Sequence, residues 1–194
     1  MNITSLPMSA SRTYTYHVNN GDTSNGNDLD VVSIAMNGAS VIRDTAQNAM
    51  EDFSIPTGSN LADNSNIIVN GIQPTITSIY STSPDGRYGI GANVNVTVTF
   101  SEPVTLSGGT LDVTLDTGEV VHIAPFGPSS TASGTYAVQS GQTSADLNAT
   151  DVDLSGGTLK NGSGNDALIA LPGTRFTSND IVIDGVRPTI TSVT

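Results

Sequence analysis

The side chains able to do chemistry in this chain are mostly carboxylates. Asp146, Asp151 and Asp153 are clustered, Glu102 follows an apolar run that ends at Phe100, and Asp184 stands just before Gly185. Calcium is the ion such groups would serve, since it takes about six to eight oxygens from Asp, Glu, Asn and backbone carbonyls, often in loops. Asp151 and Asp153 are two residues apart, so on a strand they share one face. None of the five has EF-hand spacing. The competing reading is a solvated acidic surface that keeps an exported protein soluble. Sequence leaves both open.

Other chemistries find less support. His17 and His122 are the two histidines, and both fall in strand-like alternations with no Gly-x-Ser-x-Gly motif to supply a nucleophile. Gly86-Arg87-Tyr88-Gly89-Ile90-Gly91 imitates a phosphate loop, but neither a Lys-Ser/Thr pair nor a helical pattern follows. Lys160, the single lysine, reads as solvated rather than as a partner for an isopeptide bond. The absence of cysteine excludes disulfides, thiol catalysis and Cys-based zinc sites. These features predict a protein with no catalytic and no cofactor-binding residues, calcium being the one expected cofactor.

Composition sets the partners. A net charge of −12 repels phosphate backbones, which argues against nucleic acid, and attracts cations. No run approaches the roughly 18 apolar residues of a membrane span. Met1–Pro7 has neither the basic region nor the apolar core of a signal peptide, so an export signal would lie outside this chain. With 36% hydrophobic and 12% charged residues, the chain is too apolar to be disordered, and its Thr, Val, Ile and Gly suit short strands and turns.

Two near-copies of one stretch must position everything else. Residues 67–78 read Ile-Ile-Val-Asn-Gly-Ile-Gln-Pro-Thr-Ile-Thr-Ser, and residues 181–192 read Ile-Val-Ile-Asp-Gly-Val-Arg-Pro-Thr-Ile-Thr-Ser. Each is a strand ending, a tight joint, and another strand beginning at a proline that tolerates the loss of a ladder donor. Pro74 and Pro188 stand 114 positions apart, about one β-sandwich domain. Between them, Val94, Val96, Val98 and Phe100 alternate with Asn95, Thr97 and Thr99, a half-buried strand that Ser101-Glu102-Pro103 is expected to end. Leu111, Val113 and Leu115 alternate likewise, and Asp116-Thr117-Gly118-Glu119 predicts a hairpin into Val120–Ile123. A loop is expected at 125–134, then strands at Thr135–Val138, around Val152–Leu154, at Ala167–Leu171 and at Asp180–Ile183. About eight short strands without helical periodicity predict a β-sandwich.

Residues 1–66 match only the latter half of that pattern. Tyr16 and Val18 align with Tyr136 and Val138, Gly21 and Ser24 with Gly141 and Ser144, and Asp28-Leu29 with Asp146-Leu147. Ile34 and Met36 follow Val152 and Leu154, and Asn48 follows Asn165. The expected organisation is a truncated unit at 1–72, a complete one at 73–186, and the first strand of a third at 187–194, as in a segment of a longer array. The truncated unit is expected to keep its latter strands, from Tyr14–Val18 onward, and to self-associate.

The chain resembles the bacterial immunoglobulin-like (cadherin-like) tandem repeats of large surface adhesins. Pro74–Ser78, Val94–Val104, Tyr136–Val138, Asp146-Leu147, Leu154–Leu159 and Ile181–Gly185 carry the resemblance. The family's Asp-x-x-Gly-Asn turn stands at Asp44–Asn48 without its Gly and at Asn161–Asn165 without its Asp. The resemblance implies an all-β fold of immunoglobulin-like β-sandwich units in tandem. It implies a non-enzymatic extension role on the cell surface or in the extracellular space, with neighbouring repeats as partners. The alternative is a glycan- or protein-binding module using loops at 83–91 and 125–134, where Tyr88 and Phe126 lie. Asn-x-Ser/Thr triplets at Asn2, Asn95, Asn148 and Asn161 are expected by chance in so Asn- and Thr-rich a chain.

Overall fold

The computed structural model describes residues 11–193, so the Asn2 triplet and the reading of Met1–Pro7 lie outside the described residues. The chain divides into two compact units, Met1–Ile72 and Gln73–Thr194. Strand dominates and the architecture is all-β; the described residues hold one helix of four residues.

The second unit is built on the alternating run. β1 (Ile76–Tyr80) and β2 (Gly86–Gly89) precede β3 (Asn93–Ser107), which buries Val94, Val96, Val98 and Phe100. β4 (Thr110–Leu115) and β5 (Val120–Ile123) form the expected hairpin, with Leu111 paired to Ile123 and Val113 to Val121. Then come β6 (Phe126–Ala137), β7 (Thr143–Ser144), β8 (Ala149–Ser155), β9 (Thr158–Asn161), β10 (Thr174–Arg175) and β11 (Ile181–Asp184). One sheet runs β10-β1-β3-β6 with β9 also on β3; the other two are β2-β11-β7 and β5-β4-β8. Inward side chains from all three sheets, including Ile79, Val96, Leu111, Val121, Val152, Ile181 and Ile183, meet in one hydrophobic cluster. The arrangement is sandwich-like, apolar faces inward and polar residues between them outward.

Three expectations change at prolines and glycines. Ser101-Glu102-Pro103 does not end the central strand. Instead β3 continues through a shift in register between Thr99 and Val104, where the missing Pro103 N–H interrupts the ladder. The expected loop at 125–134 is the long strand β6, and its Pro128 lies in the irregular stretch between the Leu106–Phe126 and Val104–Ser129 pairs. Gly134 sits within β6 because β5 comes close: a Cβ there would stand 2.5 Å from Val121 Cγ1. The stretch 86–89 is β2 rather than loop, held in parallel by β11. Ala167–Leu171 makes an isolated bridge, Leu168 to Thr75, while Ala167, Ile169 and Leu171 pack on the core.

The first unit corrects the expectation of strands from Tyr14–Val18 onward. Its described residues carry no strand, only isolated bridges Thr23–Asn70 and Arg43–Ala49 and the helix α1 (Leu61–Asn64). The physical reason is pairing: a strand needs a neighbour for its backbone groups, and the described residues of this unit form no ladder beyond those isolated bridges. The helix is local chemistry, a capping box in which the Asn60 side chain caps α1 and Asp63 returns a bond to the Asn60 N–H. Val69 is the one buried hydrophobic side chain among the unit's described residues, whereas Tyr16, Val18, Ile34, Val41 and Met50 are exposed.

Candidate functional site

The five candidate metal ligands are spread over several elements. Glu102 Oε1 accepts from Asn161 Nδ2 at 3.2 Å, within the register shift of β3. Asp146 is exposed ahead of β8. Asp151 and Asp153 are exposed on β8, each accepting the N–H of the residue after it, Val152 and Leu154. Asp184 ends β11, 3.5 Å from Arg87 Nη1, in a solvent-exposed pair of the kind that adds little stability. Among the described residues no three His, Asp or Glu side chains converge into a group able to hold a metal ion.

Sheet register makes one polar row that spacing alone does not reveal. Asp153 on β8 pairs with Asp112 on β4, which pairs with His122 on β5. His122 Nδ1 lies 2.7 Å from Asp112 Oδ1, with the Asp112 side chain 18% exposed. Burial pushes the Asp112 carboxyl up, but hydrogen bonds from His122 and Thr110 outweigh it and leave it below its ordinary value. Lys160 Nζ pairs with Asp166 Oδ1 at 2.6 Å. His17 stands in the strandless part of unit 1.

The aromatic residues of the two expected binding loops turn inward. Tyr88 packs against the core and donates its hydroxyl to Pro84 O at 2.7 Å; Phe126 stacks on Phe100 at 6.0 Å between ring centroids.

The most developed constellations are structural, and they occur in pairs. Tyr136 Oη and the Gln139 N–H both donate to Gln142 Oε1 at 2.8 Å; Tyr16 Oη and the Asn19 N–H both donate to Asp22 Oδ2 at 2.8 Å. Those bonds, the Asn19 N–H first, hold the Asp22 carboxyl below its usual range. The Gly141 N–H reaches Gly185 O and the Leu147 N–H reaches Ile181 O; in unit 1 the Gly21 N–H reaches Gly71 O and the Leu29 N–H reaches Ile67 O. A Cβ on Gly185 would stand 2.3 Å from Gln139 O, and one on Gly71 2.2 Å from Asn19 O. The turns match too. Asn161 N–H donates to Asn165 O and Asp44 N–H to Asn48 O, with Gly164 and Gln47 both at positive φ.

The strands at the ends of unit 2 pair in parallel. β11 runs alongside β2 through four pairs, from Ile181–Gly86 to Asp184–Gly89, and the Gly86 N–H adds a bond to Asp180 O at 2.8 Å. β1 runs parallel to β10. No family model, curated protein or solved structure matches this chain.

Proposed function

We propose that the chain is a non-enzymatic extension segment of a bacterial cell-surface or secreted adhesin-like protein, built from immunoglobulin-like units in tandem. The parallel β2–β11 pair carries this reading. Tension enters unit 2 ahead of β1 and leaves after β11. In a parallel pair the N-terminal end of β2 and the C-terminal end of β11 lie at opposite ends, so pulling shears all the rungs together. A spacer that must hold a distal domain away from a surface needs that resistance. The paired Tyr–Gly–Leu hydrogen bonds of the two units support the tandem reading, and the inward Tyr88 and Phe126 argue against the binding-module alternative.

Pulling the chain by its ends in a force spectrometer tests this. Unit 2 should give one discrete rupture that releases on the order of 300 Å of chain. Gradual extension at low force, with no rupture, would sink the mechanical reading.

Calcium enters this proposal as a counterion of the acidic surface rather than as a caged ion. A net charge of −12 repels itself, and cations relieve that repulsion. Adding millimolar calcium to a chelated sample should raise the melting temperature, and sodium chloride at equal ionic strength should raise it as much. A rise specific to calcium would point to a built site instead.

A further inference from the structure

Among the described residues β8 pairs with β4 alone, so it is one border of the β5-β4-β8 sheet. At the other border β5 comes close to β6, where Gly134 meets Val121 and Ile123. A further strand would therefore add to this sheet along β8. Ladder geometry tells which backbone groups of β8 face outward. The Leu115 N–H reaches Glu119 O in the β4–β5 hairpin, while the Asp116 N–H reaches Asn148 O just ahead of β8. N–H groups alternate in direction along a strand, so those of Asp112 and Thr114 point to β8. Their partners Asp153 and Asp151 point back toward β4. The N–H groups of Val152 and Leu154 then face away from the sheet.

Neither of them is left open. The Val152 N–H donates to Asp151 Oδ1 at 2.9 Å and the Leu154 N–H to Asp153 Oδ1 at 2.8 Å. Where the register shifts, at the start of the strand, the Ala149 N–H donates to Asn148 Oδ1 at 2.9 Å. Three times, the residue just before an N–H folds its own side-chain oxygen onto it. Such a bond takes up the donor that strand addition requires.

We propose that β8 is a self-complementary docking edge held shut by its own side chains, Asn148, Asp151 and Asp153 occupying the N–H groups that a second copy's β8 would bond in antiparallel pairing. In that pairing each β8 serves as the other's added strand, so both edges are used up and assembly stops at a two-fold dimer. Asn148 caps with a neutral amide, so the caps act as acceptors and need no charge. The device lies within unit 2 and is independent of the extension reading.

The double variant Asp151→Ala/Asp153→Ala tests it by opening the edge at two exposed positions, where the core is untouched. In dilute solution the Val152 and Leu154 amides should exchange hydrogen about tenfold faster than in the parent chain, the loss of a hydrogen bond to a charged group. At higher concentration the mean mass in light scattering should reach twice that of the parent chain under the same conditions, and both amides should regain protection. Asp151→Asn/Asp153→Asn removes the same two charges but keeps an acceptor at each position, so it should behave as the parent chain does. A mass unchanged by the alanine variant overturns the proposal. So does equal association of the asparagine and alanine variants, which would make charge rather than the caps the guard of this edge.

Discussion

Replacing Gly157 with alanine should lower the stability of unit 2 by about 3 kcal/mol, combining a left-handed backbone with an overpacked site. The reason is sheet register. β9 pairs with β3 from Val104–Asn161 to Ser107–Thr158, and β8 pairs with β4 from Thr110–Ser155 onward. The Gly108-Gly109 and Gly156-Gly157 turns therefore lie against each other. A Cβ on Gly157 would stand 2.2 Å from Gly108 O, and one on Gly109 2.3 Å from Ser155 O. Both obstacles are backbone atoms and cannot rotate away. Gly157 also has φ +67°. Gly164→Ala separates the two effects, because Gly164 has φ +86° and open space around its Cβ. It should lose only the conformational part, about 1 kcal/mol. Urea unfolding gives the comparison, with the midpoint shifted and the slope unchanged. Equal losses for the two variants would mean that the turns do not touch.

Each of those Gly-Gly pairs separates two apolar stretches in the sequence, but nothing there says that the pairs meet. Local pattern fixes local conformation: Val94–Phe100 alternates because one face of its strand is buried, and Leu111–Leu115 and Val120–Ile123 follow the same rule. Contact between distant turns depends on which strands become neighbours, and alternation carries no such information. The same gap hid β2, whose residues Gly86–Gly89 resemble a loop and become a strand through a partner almost a hundred residues away. Pro103 and Pro128 read as strand breakers because a proline cannot donate. The fold instead puts both where the β3–β6 ladder is already irregular.

The carboxylates show the same division. That Asp151 and Asp153 share an exposed face followed from their spacing. That Asp112 and His122 complete a row with Asp153 followed only from register. In unit 1, by contrast, the alignment of Tyr16, Gly21 and Leu29 picks out residues whose hydrogen bonds match those of Tyr136, Gly141 and Leu147, although no strand forms around them. Side chain and turn chemistry persists there without the sheet because those bonds close within a few residues or against Ile67–Gly71. The helix α1 did have a local signal, Asn60 three residues before Asp63, which the strand-dominated composition around it obscured.

Removing the Phe176 side chain should be the most damaging single truncation at the edge of the core, and it should invert the usual order of alanine and glycine. Phe176 is 3% exposed and packs in the central cluster. It does so at φ +48°, a conformation that bulky residues rarely adopt. The surrounding bonds hold it there. Its N–H donates to Ile79 O at 2.7 Å, its carbonyl accepts from the Asn179 N–H at 3.0 Å, and the Asn179 amide grips both backbone groups of Ser81. Phe176→Ala should cost about 3–5 kcal/mol, the range for emptying a buried aromatic site. Phe176→Gly empties the same site but relieves the left-handed backbone, where a Cβ costs about 1–2 kcal/mol. Glycine elsewhere is usually worse than alanine by about 0.5–1 kcal/mol, through its greater freedom when unfolded. Here the two terms oppose, and glycine should be the more stable variant by up to about 1 kcal/mol. Urea midpoints of the two variants decide the matter. Alanine above glycine by the ordinary margin would show that burial alone, and not a held left-handed turn, fixes Phe176.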